Sequence, residues 1–129
     1  MASVTFKGAT RIYPGSTKPA LDKLDLEVKD GEFLILIGLS GSGKSTLLRC
    51  INRLVEPTGG QIILNGEDIT AASPKELRRI RRNIGMIFQQ FNLVKRSSVI
   101  TNTLSGRLGY VSSGASLIGR FSREDRERA

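Results

Sequence analysis

Residues 33 to 55 constrain this chain more than any other stretch. Phe33 to Ile37 form an unbroken apolar run, Gly38 to Ser45 a glycine-rich turn, and Leu47, Leu48, Ile51, Leu54 and Val55 then recur at helical spacing. A continuous apolar run suits a parallel strand buried on both faces. Apolar residues three and four apart give the following helix one face that can pack back on that strand. The turn between them, Gly38-Leu39-Ser40-Gly41-Ser42-Gly43-Lys44-Ser45, matches the phosphate-loop template G-x-x-x-x-G-K-[ST] at every specified position. Strand, loop and helix are the context that the template requires. The bland alternative, a glycine-rich hairpin with a chance lysine, predicts neither flank.

The chemistry of such a loop lies in its backbone. Glycines at 38, 41 and 43 allow consecutive N–H groups to converge on one concavity, and the helix starting near Lys44 adds the positive end of its dipole. Lys44 then supplies a mobile charge for the β and γ phosphates, and the Ser45 hydroxyl is the expected Mg2+ ligand. The expected ligand is a magnesium nucleotide.

Composition narrows the remaining choices. The 129 residues are 39% hydrophobic, enough for one ordinary domain and too few for two. No histidine is present, which excludes histidine metal sites, triads and acid–base catalysis. The single cysteine, Cys50, cannot form an internal disulfide and reads as a small packed residue. No apolar run approaches bilayer length, and the first residues form no signal segment. The net charge is +8, with Lys75, Arg78, Arg79, Arg81, Arg82, Lys95 and Arg96 set against a lone acid, Glu76. That stripe lacks interleaved aromatics, so it reads as a solvated or partner-facing helix, and no nucleic-acid partner is expected.

Along the chain, residues 3 to 13 alternate as a half-exposed strand, and Leu24 to Val28 form a second. Alternating strands ahead of a continuous apolar one imply an antiparallel sheet beside a parallel core. After the helix, Gln61 to Leu64 and Asp68 to Thr70 read as hairpin arms around Asn65-Gly66. Ser73, Pro74 and Glu76 spell a capping box that opens a helix with Leu77 and Ile80 inward. Residues 83 to 88 read as another buried strand. The spacing of Ile100, Leu104, Leu108 and Val111 predicts a further helix, and Ser122 caps one that has room for a single turn. One capped turn is not where a chain is expected to stop.

With these pieces assembled, the chain resembles the ATP-binding subunits of ABC transporters, matching their N-terminal half. The resemblance implies an α/β fold, a P-loop NTPase core of ABC ATPase type with an antiparallel β subdomain. The core would span residues 1 to about 92, and the Q-loop with the start of a truncated helical subdomain about 89 to 129. Gly38, Leu39, Ser40, Gly41, Ser42, Gly43, Lys44, Ser45 and Thr46 match the Walker A loop. Tyr13, in Arg11-Ile12-Tyr13-Pro14-Gly15, stands where the family places an aromatic that stacks on adenine; read alone it is an ordinary turn tyrosine. Gln89 stands where the Q-loop glutamine touches the Mg2+ and attacking-water region, with Gln90 its nearest competitor.

The implied cofactors are ATP and Mg2+. The implied partners are a second ATP-binding subunit in a homodimer and transmembrane permease subunits at the cytoplasmic face of the inner membrane, with a solute-binding protein engaged indirectly. Residues 91–96, 106–110 and 121–129 look most like phosphonate importers, with amino-acid and methionine importers less similar. The chain departs from the family in having no Leu-Ser-Gly-Gly-Gln signature, no Walker B strand ending in Asp-Glu, no D-loop and no switch histidine. Leu104-Ser105-Gly106-Arg107 lacks the second glycine and the glutamine of the signature. The expectation is therefore nucleotide binding with negligible hydrolysis by these residues alone. A P-loop kinase or GTPase, and a non-catalytic binding module using the basic face, are the alternatives from other classes.

Overall fold

A computed structural model describes residues 3–88, 92–111 and 121–129. The chain divides into two compact units, Met1–Leu77 and Arg78–Ala129, with the boundary inside a helix.

The first unit is built on a four-stranded antiparallel sheet. Strand β1 (Val4–Arg11) pairs with β2 (Leu21–Val28) on one edge and β3 (Gly59–Leu64) on the other, and β3 continues to the two-residue β4 (Glu67–Asp68). The order is therefore β2-β1-β3-β4. Alternation in β1 does not run unbroken, because Phe6 and Ala9, three residues apart, are both buried. Irregular register between them, against both neighbours, inserts a bulge that turns Ala9 back to the core side. The Asp25 carboxylate accepts from the Gly8 N–H there at 2.7 Å, satisfying a donor the bulge takes out of the ladder.

Phe6, Ala9, Ile62, Leu64 and Ile69 form the core of the sheet, joined by Leu47 and Cys50 from helix α1 (Lys44–Ile51). The β3–β4 hairpin turns at Asn65 and Gly66, with φ of 52° and 80°. A two-residue turn whose twist matches the strands needs both values positive, which explains this residue pair. Helix α2 (Pro74–Arg81) opens as its capping box dictates. The Ser73 N–H donates to Glu76 Oε2 at 2.8 Å, and the Glu76 N–H returns to Ser73 Oγ at 3.4 Å. Leu77 and Ile80 are buried as expected.

In the second unit, α3 (Val99–Ser105) is capped by Ser98 and α4 (Arg123–Arg128) by Ser122. Arg107 Nε donates to Asp125 Oδ1 at 2.6 Å. The Ser122 hydroxyl and Arg107 together hold the Asp125 carboxyl below the usual carboxylate range.

Several expectations need correction. Residues 33–37 and 84–88 are not strands, and Phe33, Ile37 and Ile87 are 87%, 92% and 97% exposed. A strand buried on both faces needs neighbours on both edges, and among the described residues none pairs with either run. Helix α1 stops at Ile51, short of Leu54 and Val55, and of its expected inward residues Leu47 is buried while Leu48 and Leu54 are about half exposed. Helix α3 likewise stops at Ser105, leaving Leu104 buried and Ile100 and Leu108 exposed. Gly106 ends it, as a residue costly to helices would.

Phe6 fills the centre of the sheet core and is 1% exposed. Phe6→Ala should therefore destabilise the chain by about 3 kcal/mol, read as a lowered midpoint of chemical unfolding.

Candidate functional site

The glycine-rich turn joins the sheet to α1 through one close approach. Gly43, the N-cap of α1, has φ of 89°, and a Cβ there would run into the Ala20 carbonyl oxygen just before β2. Only glycine combines that backbone angle with that contact. Gly41 also lies in the left-handed region, with φ of 81°, so the loop reverses twice before the helix begins. No side chain caps α1, so its first-turn N–H groups have no side-chain partner from the N-cap, and the positive end of the helix dipole lies at this end of the loop.

Lys44 folds back over this concavity. Its ammonium donates to the Gly38 carbonyl at 2.6 Å, the Leu39 carbonyl at 2.7 Å and Ser42 Oγ at 3.0 Å. All three donors are engaged by the loop itself, so the charge is tethered where an anion would sit. Phosphate oxygens would exchange for these partners with stronger, charge-assisted bonds. Ser40 and Ser45 are exposed, and Leu39 is 86% exposed, contributing its carbonyl and no apolar packing.

Thr46 lies at the base of the loop and is buried. Its Oγ1 is 3.2 Å from the Tyr13 hydroxyl, which ties the end of β1 to the start of α1. The structure thus brings Tyr13 to Thr46, 33 positions later in the chain and next to Lys44 and Ser45 in sequence. Gln89, with Gln90, lies outside the described residues.

Arg11 was passed over in the sequence. Its guanidinium lies over the Tyr13 ring at 4.8 Å and Nη1 donates to the Glu56 carbonyl at 2.8 Å. The signal was present: positions 11 and 13 share a face in an extended segment. Beyond α1, Arg53 donates to the Ile69 and Ala72 carbonyls at 3.1 and 2.7 Å and to Glu56 Oε1 at 2.8 Å. The hydrogen bond and charge of Arg53 hold the Glu56 carboxyl below its ordinary range.

Within the second unit Arg78 donates to the Leu108 and Val111 carbonyls, and Arg82 and Arg107 lie over the Tyr110 ring at 5.3 and 4.4 Å. Among the described residues no cluster of three or more His, Cys, Asp or Glu could hold a metal, and no helix is long and apolar enough to cross a membrane.

Comparison with known proteins is decisive at this point, because residues 21–129 match the family profile described as ABC transporter. The chain belongs to the ABC transporter family. Its phosphate loop and antiparallel strands are those of an ABC ATP-binding cassette, and the fold is a P-loop ABC ATPase domain in part. The chain is 53% identical over 126 residues to the phosphonates import ATP-binding protein PhnC of Bacillus thuringiensis subsp. konkukian (strain 97-27), covering 98% of this chain and 49% of that protein. It is 49% identical over 129 residues to the PhnC of Staphylococcus aureus (strain USA300), covering 100% of this chain and 50% of that one. A dimeric cassette, MJ0796, solved in a post-hydrolysis state with ADP and Pi, superposes with a TM-score of 0.79 at 34% identity, covering 97% of this chain and 53% of the other. A nucleotide-free ABC cassette gives a TM-score of 0.74 at 27% identity, covering 99% and 51%. The chain therefore spans about half the length of the relatives it matches.

Cys50, in the helix behind the loop, is fully buried, and burial pushes its thiol above the ordinary value despite the nearby Arg11 charge. An acid whose folded pKa is raised contributes stability below its unfolded pKa and loses it as pH rises towards the folded one. Native protein at pH 8 should accordingly react slowly with a thiol-specific reagent, and denaturant should restore the rate of a free cysteine. Stability should fall, not rise, as pH is taken above the ordinary thiol range.

Proposed function

We propose that this chain is the nucleotide-holding part of the ATP-binding subunit of an ABC importer, coupling ATP binding and hydrolysis in the whole subunit to uptake of phosphonate-type solutes. The observation that carries this reading is the tethered Lys44 over the glycine loop, with its ammonium held by Gly38, Leu39 and Ser42 at the start of α1. A triphosphate entering the concavity meets backbone N–H groups from below and Lys44 from above.

In this reading the backbone of Gly38 to Gly43 cradles the phosphates, Lys44 binds the β and γ groups, and Thr46 sits at the base of the loop beside Tyr13, whose ring stacks on adenine. Mg2+ needs few protein ligands, since phosphate oxygens and water complete its octahedron. The exposed Ser45 hydroxyl at the first turn of α1 is an oxygen donor of the right hardness, so the residues present fit the ion without a carboxylate cluster. When bound, Mg2+ would neutralise charge on the β and γ phosphates. Gln89 is assigned the Q-loop role by its place in the sequence.

The phosphonate assignment is supported by the identity to PhnC proteins along nearly the whole chain. The partners that go with it are a second ATP-binding subunit, which would bring a signature motif to the nucleotide from the other side, and permease subunits at the cytoplasmic face of the membrane. A solute-binding protein would act through the permease. Neither a signature motif nor a Walker B glutamate is present among these 129 residues. Without a group to polarise the attacking water, the loop binds ATP and leaves it intact.

Calorimetric titration of residues 1 to 129 with Mg-ATP should show one site, and Lys44→Ala should weaken it at least about tenfold, the size of one lost charge-assisted contact. Hydrolysis should stay at background in both. Turnover at an ordinary enzymatic rate, abolished by Lys44→Ala, would contradict the assignment of roles. Binding that survives Lys44→Ala and falls steeply with salt would favour a basic binding module instead.

A further inference from the structure

We propose that Arg11 is a positioning residue for the base of the nucleotide, holding the Tyr13 ring at a set place relative to the phosphate loop. This inference rests on the reading of Tyr13 as the adenine platform and adds to it the device that fixes the platform.

Tyr13, just after a strand end, opens a turn closed by the Ser16 N–H to its carbonyl at 3.0 Å, which fixes its backbone but not its ring. Two contacts fix the ring. The Arg11 guanidinium covers one face of the ring at 4.8 Å from its centroid, and the ring hydroxyl is 3.2 Å from Thr46 Oγ1. Thr46 is buried at 8% exposure and adjoins Ser45, so the hydroxyl end is fixed to the phosphate loop's own helix.

Arg11 is itself held. Nη1 donates to the Glu56 carbonyl at 2.8 Å, and the segment that follows is pinned to the end of β1. There the Thr58 N–H donates to the Thr10 carbonyl at 2.7 Å, and Thr58 Oγ1 accepts from the Ile12 N–H at 3.2 Å. Arg11 Nε is buried and has no hydrogen-bond partner among the described residues. A guanidinium set this way is placed for the ring rather than for a carboxylate, and leaving a donor unpaired is a cost that packing alone would not select.

The consequence is a division of the ring. With one face of the ring taken by Arg11 and Tyr13 as a residue 36% exposed, a planar base would stack on the other face. A cation on one face also draws on the ring's electron density, which favours an electron-rich purine on the other. Arg11 thereby sets selectivity for a nucleotide over a bare polyphosphate, without touching the nucleotide.

The test compares Mg-ATP with Mg-tripolyphosphate, which has the phosphates and no base, as ligands of the full chain. Arg11→Gln should raise the ATP dissociation constant about fivefold and leave that of tripolyphosphate in place, as expected for loss of one partly desolvated cation–π contact. Arg11→Lys, a cation without the planar fork, should fall between. Equal weakening of both ligands, or an unchanged ratio, would overturn the proposal by reducing Arg11 to a structural role. Should Arg11→Gln lose its circular-dichroism signal, Arg11→Lys is judged by the same ratio. Tyr13→Ala separates the two levels of inference. If it leaves the ratio unchanged, the adenine platform fails and the Arg11 role with it. If Tyr13→Ala raises the ratio of the ATP to the tripolyphosphate dissociation constant and neither Arg11 variant does, the platform stands and the role of Arg11 is refuted. Wild-type chain that binds neither ligand would contradict both.

Discussion

The approach of Gly43 to the Ala20 carbonyl is the joint on which the first unit depends. It seats the N-terminus of α1 on the start of β2, and so brings a loop from one part of the chain onto a sheet formed by another. A side chain at position 43 would push the two apart and would also resist a φ of 89°. Everything with chemical content is hung from that joint. The Lys44 ammonium reaches back over the loop, Thr46 turns down to Tyr13, and Arg11 supports the ring from behind. The ends of the proposed nucleotide site, Tyr13 and the glycine loop, are thus linked through Thr46 and Arg11.

The sheet and the apolar run ahead of the loop answer to different requirements. Strands β1 to β4 alternate, pair locally, and close a small core around Phe6, Ile62 and Ile69. Residues 33 to 37 do not alternate, and no register with β1 to β4 could bury both of their faces. Phe33, Ile35 and Ile37 are 87%, 65% and 92% exposed, a contiguous apolar surface of the kind that marks an interaction site. Among the described residues no strand pairs with it, whereas β1 to β4 pair with one another.

That difference explains what could be read in advance. The capping box at Ser73, the Asn65-Gly66 turn and the Ser122 cap are local, and each formed as its residues dictate. The template is a statement about backbone, and Gly41 and Gly43 take the positive φ that favours glycine. The strands at 33–37 and 84–88 were legible only as apolar runs; whether such a run becomes a strand is decided by neighbours, which a local pattern does not contain. Helix α3 ends at Gly106, and the outer apolar residues at Leu48, Leu54, Ile100 and Leu108 stay partly exposed among the described residues. Arg11 was missed because a charged residue at a strand end is usually solvated, and only the fold shows it lying over a ring.

In the proposed site the loop from Gly38 to Thr46 receives the phosphates of ATP, with Lys44 exchanging its loop carbonyls for them. Hydrogen–deuterium exchange of the backbone N–H groups of residues 40 to 46, with and without Mg-ATP, tests it most directly. These groups should become protected when the nucleotide is added, while those of the β3–β4 hairpin do not change. Unchanged exchange across residues 40 to 46 at saturating nucleotide would contradict it.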